Sequence, residues 1–299
     1  MKDFHAGESG AQAGGAALLA SGRSDQPEMN RQGFKRFRRK ALHRDRHAPL
    51  SDVDIPHNLP ARIEDEWAQL QLVPPSIRRL EMESAPLVNL HRDDPAAAAF
   101  DLLRTRLLQA LRDHGWSRIA IAAPTAGCGA TFTAVNLALS LARIPGSRTV
   151  LMDMNMRAPG IGAALAMPGI GDMRGFLAGE VAVRDQLLRI SDTLALGLAR
   201  RPEHDASERM HDPRTARALE RMTTALRPGV VLFDLPPVLA HDDLAAFLPQ
   251  VDGVLLVSDA ASTTAAHIEA CERVLDGQSR LLGVVLNRAR RAGADPANA

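Results

Sequence analysis

The sequence contains no tyrosine, and aromatic residues make up only 3% of its 299 positions. A chain without a phenol cannot be modified on tyrosine. Cysteine is almost as scarce. Cys128 and Cys271 stand far apart and form no metal-ligand spacing, which suits a reducing cytoplasm. No apolar run approaches the eighteen or so residues of a membrane span. The start of the chain carries Asp3, His5 and Glu8 where a basic stretch and an apolar one would stand, so no secretory signal is expected. An excess of one charge is missing too. The 36 Lys and Arg against 35 Asp and Glu leave a net charge of +1, so nothing global asks for an acidic partner and no nucleic acid is expected. The hydrophobic content of 45% is enough for one sizeable core with a tail left over.

The core is organised around residues 118–139, RIAIAAPTAGCGATFTAVNLAL. A short apolar run, 119–123, meets a turn of small residues, and helical spacing begins at Thr131. Strand, small-residue loop and helix together make the grammar of a phosphate-binding loop. Small residues let backbone N–H groups curl around phosphate oxygens at a helix N-terminus. Candidate nucleotide contacts are therefore Gly127, Cys128, Gly129, Ala130, Thr131 and Phe132. One residue departs from the pattern. Where Gly-Lys-Ser/Thr would place lysine, the chain reads Gly129-Ala130-Thr131. A charge-assisted hydrogen bond is worth about 1.5–3 kcal/mol, so its loss weakens phosphate binding roughly ten- to hundredfold. In a transition state, where charge accumulates, one missing donor costs about 2.7–4 kcal/mol. Binding at millimolar nucleotide is compatible with that loss; phosphoryl transfer is much harder to support. A plain strand-to-helix turn is the alternative on these residues alone.

Residues 1–60 are rich in Gly, Ala, Ser and charge and read as disordered. Within them the basic segment 31–47 sets Phe34 and Phe37 among Arg and Lys. It reads either as a contact for anionic lipid or an acidic partner, or as a solvated basic stretch. Residues 61–95, with Pro74, Pro75 and Pro86, read as an extended arm. Pro95 opens a helix over 96–114, with Phe100, Leu103, Leu107 and Leu111 along one face. From Arg118 strands and helices alternate, which predicts an α/β fold with a doubly wound, mostly parallel sheet. Strands are expected at 119–123, 149–153, 194–198, 230–234, 253–257 and 281–286. Helices are expected at 131–142, 181–190, 214–226, 243–248 and 261–275. One domain, 96–290, is expected, with 291–299 as a short tail.

Ligands in such a sheet sit at the strand ends. Two of the strands end in a carboxylate, Asp153 and Asp234. With Thr131 they would provide oxygen ligands for a Mg²⁺ that keeps several waters. The alternative is that both aspartates only cap a helix or loop.

These motifs resemble the bacterial tyrosine kinases, the cytoplasmic ATPase modules of exopolysaccharide and capsule co-polymerases and relatives of the MinD/ParA ATPases. The run TVLMDMNMRAP from Thr149 to Pro159 is similar to the family's VLLIDADLRRP motif. Asp234-Leu-Pro-Pro-Val-Leu, followed by Asp243, is similar to DTPPVL…D, and MRGFLAG from Met173 to Gly179 to GLSDYLAG. The runs beginning at Asp252 and Gly283 resemble the family's last two strands. The resemblance implies a P-loop NTPase fold, ATP or ADP with Mg²⁺ as cofactors, and Asp153, Asn155 and Asp234 as the catalytic positions. It implies Asn287 near the base, and Arg157 either at phosphate or in a structural role. It also implies an integral-membrane polysaccharide co-polymerase or chain-length regulator as partner, at the cytoplasmic face of the cell membrane. The oligomeric state stays open.

The departures from the family run in one direction. Ala130 replaces the lysine, Asn155 the second aspartate and Cys128 the usual glutamate between the glycines. Cys128 invites two readings, a redox-sensitive thiol at a helix N-terminus or a small residue filling a turn. The oligomerisation motif E-x-x-R-x-x-R falls on Ala98, Asp101 and Arg104, keeping only the last, and the terminal tyrosine cluster is absent. A degenerate, nucleotide-sensing or structural member is expected first. An active kinase or ATPase acting on a partner, and a MinD/ParA-type positioning protein, are the alternatives.

Overall fold

The computed structural model describes residues 65–76, 87, 95–167 and 170–289. The basic segment 31–47 and the tail 291–299 lie outside the described residues.

The centre of the fold is three short, almost wholly buried strands: β2 (Arg118–Ala122), β3 (Thr149–Asp153) and β6 (Val230–Asp234). Side chains alternate across a strand, so each of these runs feeds two cores. Ile119, Ile121, Leu151 and Leu232 go to one side. Ala120, Ala122, Val150, Met152, Val231 and Phe233 go to the other. On the first side lie α2 (Pro95–His114), through Phe100, Leu107 and Leu111, and α3 (Ala130–Leu141), through Val135, Leu137 and Leu141. The stripe read from the sequence of α2 is thus its packing face. The small α4 (Ile161–Ala164) adds Ile161 to this layer. On the second side lie α5 (Met173–Ala178), α7 (Ala206–His211), α8 (Pro213–Leu226) and α9 (Asp243–Phe247). Covering both faces explains why the strands are continuously apolar.

The full sheet has eight strands in the order β1-β4-β5-β3-β6-β2-β7-β8, parallel except for the β4–β5 pair. Here β1 is Gln71–Leu72, β4 Leu187–Arg189, β5 Leu194–Gly197, β7 Gly253–Asp259 and β8 Arg280–Asn287. The fold is the mostly parallel, doubly wound α/β sheet expected from the sequence.

The helix expected over 181–190 is corrected. Only Val183–Gln186 is helical (α6), and 187–189 is a strand. Gln186 ends the turn: its buried amide accepts from the N–H of Asp172 (2.7 Å) and donates to the carbonyl of Leu198 (2.8 Å). Leu187 and Leu188 are then both buried, in opposite core layers. A strand buries consecutive side chains on two faces; a one-sided helix does not. The 61–95 stretch supplies a helical turn, α1 (Glu66–Gln69), and the edge strand β1 parallel to β4. Trp67 anchors it, with its indole N–H on the carbonyl of Asp192 at 2.9 Å.

The last helix, α10 (Ala265–Leu275), starts later than the expected 261 because the chain first caps itself. Asp259 accepts from the N–H groups of Ala261 (2.8 Å) and Ser262 (2.9 Å), and Thr264 and His267 form a reciprocal cap.

Candidate nucleotide site

The loop between β2 and α3 turns on two glycines in the left-handed region, Gly127 (φ +82°) and Gly129 (φ +92°). Gly129 also N-caps α3, and a Cβ there would run into the Asn287 side-chain amide. Glycine is required at 129 on both counts. The first intrahelical bond runs from the Thr133 N–H to the Gly129 carbonyl (2.9 Å), so the amides of Ala130, Thr131 and Phe132 have no intrahelical acceptor.

Neighbouring strands brace the loop. Asn287, at the end of β8, donates to the Cys128 carbonyl at 2.8 Å. The Cys128 thiol is buried and lies 3.4 Å from the Thr125 hydroxyl and 3.7 Å from that of Thr263. Burial pushes this thiol up, but its hydrogen bonds with Thr125 and Thr263 more than reverse that, leaving it below the ordinary range.

Beside the loop, Asp153 and Asp234 are direct ladder partners across β3 and β6, both 0% exposed. Asp153 Oδ2 accepts from the N–H groups of Gly160 (3.1 Å) and Ile161 (3.0 Å). Asp234 Oδ2 accepts from the Thr131 hydroxyl at 2.7 Å. The Oδ1 atom of each is buried without a hydrogen-bond partner. Burial raises Asp153 to about 7. Burial, and then the charge of Asp153, push Asp234 well above the carboxylate range against the pull of Thr131.

Two adjacent buried carboxyls with unanswered oxygens need a proton or a cation between them. The donor set fits Mg²⁺ in its chemistry: hard oxygens from Thr131, Asp153 and Asp234. Among the described residues no three His, Cys, Asp or Glu cluster into a complete metal cage.

A cavity of about 560 Å³ opens over the loop, lined by residues 125–131, Asn155, Arg157, Pro236, His241 and Arg288 among others. Phe132 follows these residues on α3, and its ring packs edge-on against Phe100 at 6.0 Å. Arg157 lines the cavity, but its guanidinium is committed elsewhere. Nε and Nη2 bind the fully buried Asp243 (2.7 and 3.1 Å), and Nη1 the carbonyl of His204 (3.0 Å). Arg104, the remnant of the oligomerisation motif, is also engaged within the chain, on Asp101 (3.1 Å) and the Ser140 carbonyl (3.1 Å). Sequence reasoning did not single out Asp259, whose Oδ2 holds Arg288 Nη1 at 2.7 Å at the rim. The signal available was one more strand ending in aspartate, hidden by a strand two residues longer than its apolar run. A larger cavity, about 1490 Å³ between α1 and α8, contains none of these groups.

The sheet order, glycine loop and strand-end carboxylate pair define a P-loop NTPase-type domain. No family profile matches the chain. It is 30% identical over 249 residues, 80% of its length, to EpsB of Ralstonia solanacearum, named as a tyrosine-protein kinase. It is 26% identical over 212 residues, 69% of its length, to a tyrosine-protein kinase named from the cps region of Klebsiella pneumoniae. It spans only 30% and 29% of these two relatives. Among solved structures, the BceF tyrosine kinase domain matches with a TM-score of 0.60 and 26% identity, covering 76% of this chain and 96% of that one. The chain belongs to the bacterial tyrosine kinase family of P-loop proteins.

Proposed function

We propose that this chain is a degenerate bacterial-tyrosine-kinase-like protein of exopolysaccharide or capsule synthesis. In this reading it senses nucleotide as the partner of an integral-membrane co-polymerase and does not turn it over rapidly. The observation that carries the reading is the coexistence of an amide cradle under a cavity and an Asp153–Asp234 pair with two unpartnered oxygens, with alanine at 130. The cps-region name of one relative supports the polysaccharide setting.

Each residue has a part. The amides of Ala130, Thr131 and Phe132 would receive phosphate oxygens. When bound, Mg²⁺ supplies the positive charge that the two carboxyls lack. Asp153 also holds the Gly160 and Ile161 amides, and the same segment carries Arg157, which grips Asp243 on α9. A change in charge at Asp153 is therefore felt by the segment after β3 and by α9. That linkage suits a sensor. Without the lysine, stabilisation of a transferring phosphoryl group falls short by about 2.7–4 kcal/mol. Among the described residues no helix is long and apolar enough to cross a membrane; contact with the bilayer would come through the partner or through segment 31–47.

The test is calorimetry with ATP or ADP and Mg²⁺, together with a phosphate-release assay. Binding without release is expected. No heat and no thermal shift would reduce the protein to a scaffold. Phosphate release that disappears in Asp153→Ala and Asp234→Ala would establish an active ATPase instead.

A further inference from the structure

With Ala130 in the lysine position, the positive charge for a phosphate has to come from another element. Two arginines line the cavity over the loop, Arg157 and Arg288. They are not equivalent. All three guanidinium nitrogens of Arg157 are used, two of them by a fully buried carboxylate. Among the described residues the Arg288 guanidinium bonds only through Nη1, on Asp259, and its side chain is 63% exposed. Asp259 is itself 97% buried and gives its other oxygen to the Ala261 and Ser262 amides. The Ala261 amide first, then Arg288 and the Ser262 amide, hold it below the ordinary carboxylate range against the effect of burial, so it anchors one corner of the guanidinium.

The backbone points the same way. Arg288 sits at φ +56°, a left-handed conformation that a residue with a Cβ adopts only when its surroundings impose it. Asn287 braces it: its Oδ1 accepts from the Arg288 N–H at 2.9 Å while its Nδ2 donates to the Cys128 carbonyl at 2.8 Å. One amide side chain thus fixes the root of Arg288 against the phosphate loop itself. The buried, unpartnered Oδ1 atoms of Asp153 and Asp234 independently mark the other side of the loop as the place for a cation–phosphate ligand.

We propose that Arg288 is the phosphate-binding cation of this site, supplying from the end of β8 the charge that position 130 has lost. Its ligand class is a nucleoside di- or triphosphate, received by the two guanidinium nitrogens that Asp259 leaves free. The inference rests on the reading that the loop takes a nucleotide, and the experiment separates the two. MgADP and adenosine are titrated into the full chain and into Arg288→Ala and Arg288→Lys, with a thermal melt of each ligand-free protein. The Arg288→Ala melt should fall by several degrees, because the buried Asp259 loses its ion pair, so every titration is run below the lowest melting temperature. Arg288→Ala should bind MgADP about ten- to hundredfold more weakly, with adenosine unchanged. Arg288→Lys should recover part of the loss, since an ammonium restores the charge without the fork. Equal MgADP binding by the wild type and Arg288→Ala overturns the role of Arg288 and leaves the nucleotide reading standing. No MgADP binding by the wild type overturns both.

Discussion

Replacing Asp153 with asparagine should make the ligand-free protein more stable at pH 8, although it removes a residue of the nucleotide site. The reason is the carboxyl pair. Asp153 titrates near 7 in the folded chain against an ordinary 3.8, so the folded state keeps its proton to higher pH than the unfolded state does. Stability from this group is complete below pH 4 and is lost as pH rises through 7. At 1.36 kcal/mol for each pH unit separating the two values, the full loss at pH 8 is about 4 kcal/mol. Relaxation and water entry cut the realised gain to about 2–3 kcal/mol. Asparagine keeps an oxygen for the Gly160 and Ile161 amides and replaces the unpartnered Oδ1 with a neutral donor. It also takes away the negative charge that helps raise Asp234. For a domain of this size the melting temperature should rise by about 4–12 °C at pH 8. The gain should shrink steadily toward pH 4, and millimolar Mg²⁺ should narrow it by stabilising only the wild type. Melting curves from pH 4 to 8, with and without Mg²⁺, provide the assay. A variant that melts at or below the wild-type temperature at pH 8 would refute the reasoning.

Other perturbations act through packing and pairing. Arg157→Ala strands the fully buried Asp243 and should cost about 3 kcal/mol in denaturant unfolding, with Arg157→Ala/Asp243→Asn recovering most of it. Trp67→Ala removes a buried indole and its bond to Asp192; a loss of about 3–5 kcal/mol is expected, with faster amide exchange at 71–72 and 187–189. Gly129→Ala places a Cβ at φ +92° against Asn287; it should destabilise by about 1–3 kcal/mol, and MgADP binding should fall with it.

The parts legible in the sequence were those whose physics is local. The runs at 149–153 and 230–234 read as strands because burial on both faces makes them continuously apolar, and the closing aspartates stand out against such runs. The turn at 127–129 read as a loop because small residues there have a conformational reason. Illegible parts depend on partners distant in sequence. Leu187 and Leu188 look helical until β1 and β5 flank them. Arg157 stayed open between a phosphate contact and a structural role because Asp243, which holds it, lies 86 residues away. Arg288 drew no reading from the sequence because its surroundings come from Asp259 and from Asn287 reaching Cys128 across 159 positions.

The claim under all of this is that the amide cradle and the carboxyl pair persist while the lysine is gone. Calorimetric titration of MgADP into the wild type and into Ala130→Lys tests it most directly. The account predicts weak wild-type binding, roughly millimolar, and a gain of about ten- to hundredfold on restoring the lysine. Identical affinities, or no binding by either protein, would contradict it.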